Sequence, residues 1–512
     1  MWYRYKQIDE ERLREELSRT EILYGTNHSN TLGILSKLGN VLIDQGRYKS
    51  AEEVIRRLVE GRRNVDGNDN VNTLNALELL GEVLDCQGHY AKAEQLHRRI
   101  FESRKAILGE VHPDTLTSVS NLGSVLESQG KYEEAEAMHR RDLEGSEKVL
   151  GPEHPHTITS VSKLGSVLSS QGKYEEAEAM HRRALEGSEK GLGPEYPDTL
   201  TSVSNLGSVL SSQGKYEEAE AMHRRDLEGS EKVLGPEHPH TLTSVSNLGS
   251  VLSRQGKYKE AEAIQRRAME GYEKVLGLEH PHTLTGVGQL GLVLSRQGKY
   301  EEAEAMHRRA LERREKVLGP EHPDTLTSVS NLGSVLSRQG KYEEAEAIQR
   351  RAMEGYEKVL GPEHPHTLTG VSQLGLVLKR QGRYEEAEAM HRRALERREK
   401  VLGPEHPHTL TSISNLGLVL ERQGRYKEAE AMHQRALKRR EKVLGPEHPD
   451  TLTSVYHLAF LFRQQQRYST ASELYQRARN GYTRVLGAQH PTTIACFSQY
   501  RSMVEGTELW QP

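Results

Sequence analysis

A threonine opens the same phrase at positions 31, 73, 115, 157, 199, 241, 283, 325, 367, 409, 451 and 493, always 42 residues after the last and with no insertion. A period of that length limits the chain to units that stack on their neighbours, because a copied unit cannot contribute to one shared compact core. Eleven full units occupy 31–492. Residues 1–30 read as the second half of a preceding unit, since Leu23-Tyr24-Gly25 stands where Val149-Leu150-Gly151 stands later, and 493–512 read as the first half of a twelfth. Residues 264–347 nearly duplicate 348–431, so the array has also grown by copying pairs of units. Duplication supplies the same surface again, which works against an active site, since that needs a unique constellation.

The unit beginning at Thr115 shows what each copy folds into. Val119, Leu122, Gly123 and Leu126 recur at helical spacing, without the alternation of a strand. Gln129-Gly130-Lys131 interrupts that helix with a glycine turn. Tyr132-Glu133-Glu134-Ala135 opens a second helix running to about Leu150, with Glu136/Arg140 and Glu144/Lys148 in the favourable order for pairs one turn apart. Gly151-Pro152-Glu153-His154-Pro155 ends it, because proline bars continuation. Two antiparallel helices per unit exclude propeller blades. A glycine inside a helix costs roughly 1 kcal/mol against alanine, so the return of Gly123 in ten units implies a close helix crossing, with Ala135 on the facing helix.

The phrase Leu122-Gly123-x-x-Leu126…Gly130-x-Tyr132-x-x-Ala135 resembles the tetratricopeptide signature. The 42-residue form, with its Leu-Gly-Pro-Glu-His-Pro loop, is similar to the repeat domain of kinesin light chains. It also resembles the arrays that end many fungal and bacterial NACHT or NB-ARC signalling proteins. The resemblance covers about 31–492 and implies an all-α, right-handed α-solenoid of tandem hairpins, a rod of about 24 helices. The heptad region of kinesin light chains and the nucleotide domain of those signalling proteins have no counterpart in this sequence. At the far end Tyr500 and Arg501 replace the crossing Leu-Gly pair, which predicts a reworked capping helix. At the near end Trp2, Tyr3 and Tyr5 either cover the first helix or face a preceding unit.

Composition narrows the partner. Seventy basic residues against 74 acidic ones give a net charge of −4, which argues against nucleic acid or a membrane surface held by bulk charge. Cys86 and Cys496 are distant and unpatterned, and no long apolar run or signal peptide is evident, so a reducing, cytoplasmic setting is expected. The sequon Asn27-His28-Ser29 then carries no weight.

The polar stripe of the first helix, Thr117, Asn121, Ser124 and Ser128, lies opposite the apolar one. The tetratricopeptide resemblance makes this stripe the lining of a concave groove. One position carries Asn121, Lys163, Asn205, Asn247, Gln289, Asn331, Gln373, Asn415 and His457, and an amide ladder suits the backbone of an extended peptide. Two other positions change along the chain. Ser124, Ser166, Ser208 and Ser250 give way to Leu292, Ser334, Leu376, Leu418 and Phe460. Ser128, Ser170 and Ser212 give way to Arg254, Arg296, Arg338, Arg380 and Arg422. The expected peptide-binding groove is therefore Asn247, Arg254, Gln289, Leu292, Arg296, Asn331, Arg338, Gln373, Leu376, Arg380, Asn415, Leu418 and Arg422, suited to an extended, acidic and partly apolar protein segment.

Other signals dissolve into the repeat. Gly286-Val287-Gly288-Gln289-Leu290-Gly291 matches a dinucleotide motif but lies within a helix with no strand before it. Gly165…Gly172-Lys173-Tyr174 lacks phosphate-loop spacing. His97, His139, His181, His223, His307, His391 and His433 form a ladder, one per unit. Gln265 and Gln349 replace the histidine in two units, which indicates half-buried packing and hydrogen bonding, not ligation. Loop pairs such as His154/His156 and His280/His282 lack the partners of a closed metal site. The sequence thus predicts no enzyme, no metal and no cofactor. It predicts an interaction scaffold, a kinesin light chain-like adaptor, with a ligand-sensing or autoinhibitory array of a NACHT/NB-ARC signalling protein as the alternative.

Overall fold

The computed structural model describes residues 2–508, with side chains for 9–505. Twenty-four helices follow one another without a strand among the described residues. A regular unit has a first helix, Pro113–Ser128, and a second, Tyr132–Leu150. The aromatic cover considered for Trp2, Tyr3 and Tyr5 lies outside the described side chains.

Each boundary has a local cause. His112 stands at the N-cap, its Nδ1 accepting the Asp114 N–H (3.2 Å), and Pro113 occupies the first helical turn, where no donor is needed. The opening threonine closes the loop behind it: Thr157 Oγ1 donates to the Gly151 carbonyl (2.8 Å), and Thr199, Thr241, Thr283, Thr367 and Thr409 repeat that bond. Gly130 turns the chain at φ +72°, a conformation costly for residues with a Cβ.

The mid-helix glycines have a definite reason. A Cβ on Gly123 would lie 2.7 Å from the His139 ring, and one on Gly207 would lie 2.9 Å from His223. The ladder histidines are not half-buried, as their spacing suggested, but fully enclosed, His139, His307, His391 and His433 at 0 % exposure. Each imidazole sits flat in the notch that glycine leaves. In the two exceptional units the expected hydrogen bonding is present: Gln265 Nε2 donates to the Ser246 carbonyl (2.7 Å), and its Oε1 accepts from Ser246 Oγ (3.1 Å). The last full unit changes both partners, with buried Ala459 and Tyr475 in these places.

Units are joined on several levels. Gln129 Nε2 donates to the Tyr90 carbonyl one unit back (3.0 Å). On the outer face Lys131 and Arg98 converge on Glu94, and the pattern recurs along the array. Buried Arg314 Nη1 donates to the Asp324 carbonyl (2.9 Å) and to Ser328 Oγ (2.9 Å), and its Nη2 to Thr285 Oγ1 (3.0 Å), tying a second helix to its own first helix and to the next. Arg398 and Arg440 do the same. Tyr272, Tyr356 and Tyr482 fill this position in other units and reach the matching threonine through their hydroxyls.

The array is not an open rod. First helices of neighbouring units approach one another more closely than second helices do, so they form the concave wall of a curved superhelix. After 236 residues, between five and six units, one turn rests on the turn before it. His280 Nε2 donates to the Asp44 carbonyl (3.1 Å), His322 to Cys86 (3.0 Å), His364 to Ser128 (3.0 Å), His406 to Ser170 (3.0 Å), His448 to Ser212 (3.1 Å) and His490 to Arg254 (3.3 Å). The adjoining prolines cover the hairpin glycines: a Cβ on Gly88 would lie 2.6 Å from Pro323, and one on Gly214 2.5 Å from Pro449. In each seat Nδ1 accepts the N-cap bond, so the neutral ring must carry its proton on Nε2, where the other turn supplies an acceptor. Beside the seats at Gly88 and Gly130 the two turns flank an open cleft of about 1090 Å³ lined by Tyr90, Tyr132, His322 and His364.

Two outcomes test this packing. Gly207→Ala should destabilise the protein by about 1–3 kcal/mol in urea unfolding despite the better helix propensity of alanine, because the added methyl overpacks the notch; adding His223→Ala should recover part of that loss. Replacing His322, His364, His406 and His448 together by asparagine, which already caps a helix at Asn70, should leave helicity unchanged but raise the radius of gyration in small-angle scattering.

Candidate interaction surface

The expected groove residues all belong to first helices, with the arginines at or near the helix ends. The amide positions Asn247, Gln289, Asn331, Gln373 and Asn415 are half-buried, as are Leu292, Leu376 and Leu418, whereas Arg254, Arg296, Arg338, Arg380 and Arg422 are exposed. Part of the amide ladder is engaged sideways: Asn247 Nδ2 donates to Ser204 Oγ on the neighbouring first helix (3.2 Å), and Asn205 does the same to Ser162 (3.0 Å). Lys163, the odd member of that row, donates to Ser120 Oγ (3.1 Å).

The arginines end their helices or stand in the last turn, where cations suit the helix dipole. Three of them reach one unit back through Nη1: Arg254 to the Ser211 carbonyl (3.3 Å), Arg296 to Ser253 Oγ (2.9 Å) and Arg380 to Ser337 Oγ (2.9 Å). The acceptors are uncharged, so these bonds position the guanidinium groups without neutralising them. Partial burial, followed by the neighbouring Arg254 and Arg338 charges, holds Arg296 below the ordinary arginine range, and Arg380 is lowered by burial and by Arg338. The row therefore repels itself, and an anion laid along it would relieve that repulsion.

The change from serine to arginine along the chain coincides with the superhelix. Asp44, Cys86, Ser128, Ser170 and Ser212 lie beneath the following turn, and Arg254 accepts the last of the six seam bonds. Beyond it the rim is open, with no atom within 4 Å of where a Cβ would stand on Gly298, Gly340, Gly382 or Gly424. Small side chains occupy the covered seats, and long cationic ones begin where the cover ends.

Burial acts in the same direction on the ladder histidines and on several histidines of the seam. Burial pushes His139, His181, His223, His307 and His433 down to about 4 and His391 to about 3. Burial likewise takes His364 to about 4 and lowers His406, His448 and His490, while their backbone acceptors on the other turn oppose the shift. The outer carboxylates move differently: burial raises Glu94, but bonds from Lys131, Gln129 and Arg98 outweigh it and bring the group to about 2.

No group of three side chains able to hold a metal ion occurs among the described residues, and no helix there is long and apolar enough to cross a membrane. Gly286 and Gly288 lie within a first helix, Pro281–Gln297, and Gly291 forms the notch for His307.

A stacked array of such hairpins defines a helical-repeat interaction scaffold. Residues 30–106, 114–190, 156–228, 198–274, 282–358, 329–370, 369–442 and 412–484 match the tetratricopeptide repeat family, and the chain belongs to that family. No curated protein matches the chain. Among solved structures it is similar to nearly identical TPR-like repeats of Podosopora anserina described under the name kinesin light chain, at 25% identity over 40% of this chain and 98% of that one, with a TM-score of 0.34. A point variant of the same repeats gives 25% identity over 40% and 97%, with a TM-score of 0.35. BtubC (BKLC) from P. vanneervenii gives 23% identity over 45% of this chain and 92% of that one, with a TM-score of 0.38.

The histidine shifts predict a pH dependence. Each folded-state value lies below the unfolded value near 6.5, so the unfolded chain binds more protons as the pH falls, and stability drops between pH 6.5 and about 4. The carboxylate pairs are lost only lower, from the ordinary carboxylate range down to about 2 for Glu94. Urea midpoints measured across pH 7 to 4 should fall. Replacing His139, His223 and His307 by glutamine, the residue found at 265 and 349, should flatten that fall.

Proposed function

We propose that the chain is a non-catalytic adaptor whose concave wall captures an extended, acidic segment of a protein partner along the row from Arg254 to Arg422. The observation that carries this reading is the run of exposed guanidinium groups, one per unit, three of which (Arg254, Arg296 and Arg380) are held by uncharged acceptors one unit back. Side-chain amides and the half-buried Leu292, Leu376 and Leu418 lie beside it, which suits a segment offering backbone, carboxylate and apolar groups in turn. A cytoplasmic setting and an adaptor role of the kinesin light chain kind belong to the same proposal.

The test is fluorescence anisotropy on the full-length protein with labelled extended peptides of matched apolar content, acidic or basic. The acidic peptide should bind, with an affinity that falls steeply with added salt. Arg296→Glu, Arg338→Glu and Arg380→Glu together should weaken it at least roughly tenfold, since bonds to charged groups contribute about 1.5–3 kcal/mol each. Equal binding by the triple variant would refute the reading.

A further inference from the structure

The seam between turns ends in two unused halves, and these are complementary. On one rim the hairpin turns at Gly382 and Gly424 have the left-handed glycine of a seat, but no turn among the described residues lies over them. On the other rim the loops at His112 and His154 have the capping imidazole and the following proline of a seat, but no turn among the described residues lies beneath them. His154 is exposed, whereas His364 and His406, in filled seats, are 7 % and 6 % exposed. Both halves repeat every 42 residues on one superhelix, so a pitch that seats six loops within the chain would also seat the loops of another chain.

Charge points the same way. Within the seam burial raises Tyr48 and Cys86, and the carboxylate of Asp324 adds to both after nearer groups (Cys86 for Tyr48, Asp85 and Glu82 for Cys86), so the acidic residue behind the proline lies near the covered hairpin. Its counterpart on the unused loop rim, Asp114, is 49% exposed at the side chain, and the unused hairpin rim carries the arginine row.

We propose that this protein associates head to tail with a second copy of itself, the loops at His112 and His154 of one copy seating on the hairpin turns at Gly382 and Gly424 of the other. The contact joins two different surfaces, so it does not close on itself and propagates into linear chains that continue the superhelix. It does not rest on the peptide reading, and its variants leave the arginine row intact.

The test is sedimentation velocity on the full chain over a wide concentration range. The wild type should form dimers and then longer species as concentration rises. A loop-rim variant, His112→Asn with His154→Asn, keeps its helix caps as Asn70 does but loses the Nε2 donors. A hairpin-rim variant, Gly382→Gln with Gly424→Gln, places a side chain over the seat. The fold already accepts that change at Gln466, which holds φ +60° in the corresponding place. Self-association of the loop-rim variant should weaken roughly tenfold, from the loss of two net hydrogen bonds, and the hairpin-rim variant should weaken likewise. Each variant retains one sound rim, so mixing the two should restore association but stop at the dimer. A wild type that stays monomeric at all concentrations, variants that associate as the wild type does, or a dimer that does not grow would each overturn the proposal.

Discussion

The close approach of two helices at a glycine notch governs everything larger in this molecule. Gly123 removes the one atom that would hold the helices apart, and His139 fills the space with a flat ring that packs from every side. The crossing geometry is thereby set inside each hairpin, before any neighbour is added. Units that share it dock on one another with nearly the same rotation, through the glutamine bonds at the turns and the buried arginine or tyrosine behind them. The curvature of the superhelix, and hence the meeting of its turns, is the sum of these equal small rotations. A looser crossing would blur the pitch, and the seam could not form at six successive places.

Much of this was legible in the sequence and some was not, for different physical reasons. The hairpin is written in short-range spacing: Leu122, Gly123 and Leu126 on one helix, Gly130 at the turn, Ala135 on the next. The solenoid follows from the exact period. The depth of the ladder histidines was misjudged, because a polar ring opposite glycine gains its burial from what glycine lacks. Arg104, Arg314, Arg398 and Arg440 escaped notice within a highly charged helix, although the exchange of arginine for tyrosine at 272, 356 and 482 was a usable sign of enclosure. The seam was out of reach, since 236 is no multiple of 42 and only the accumulated rotation decides which residues meet. The loop histidines serve as caps on one ring nitrogen and as seam donors on the other. The groove residues were assigned to a concave wall by resemblance, and the boundary between serine and arginine acquires its meaning only from the turn that covers one group and leaves the other open.

The same histidine chemistry serves at two scales. In the notch a neutral imidazole is a packing element, and among the described residues neither ring nitrogen of His139, His307, His391 or His433 has a partner. In the seam a neutral imidazole is a two-ended connector with a fixed tautomer. Both uses require the uncharged ring, so hairpin stability and superhelix closure respond to acidity in the same direction although they lie far apart in the fold.

The capped seats also give the molecule a mechanical character. Each joins two turns by a single hydrogen bond and the face of one proline ring, whereas each hairpin is held by a continuous apolar core. Pulled from its two ends, such a coil would release its seats one after another while every hairpin stayed folded, gaining length by uncoiling alone. On release, the unchanged rotation between units would bring the same imidazoles back to the same carbonyls. The array would then behave as a latched spring, its reach adjustable without unfolding.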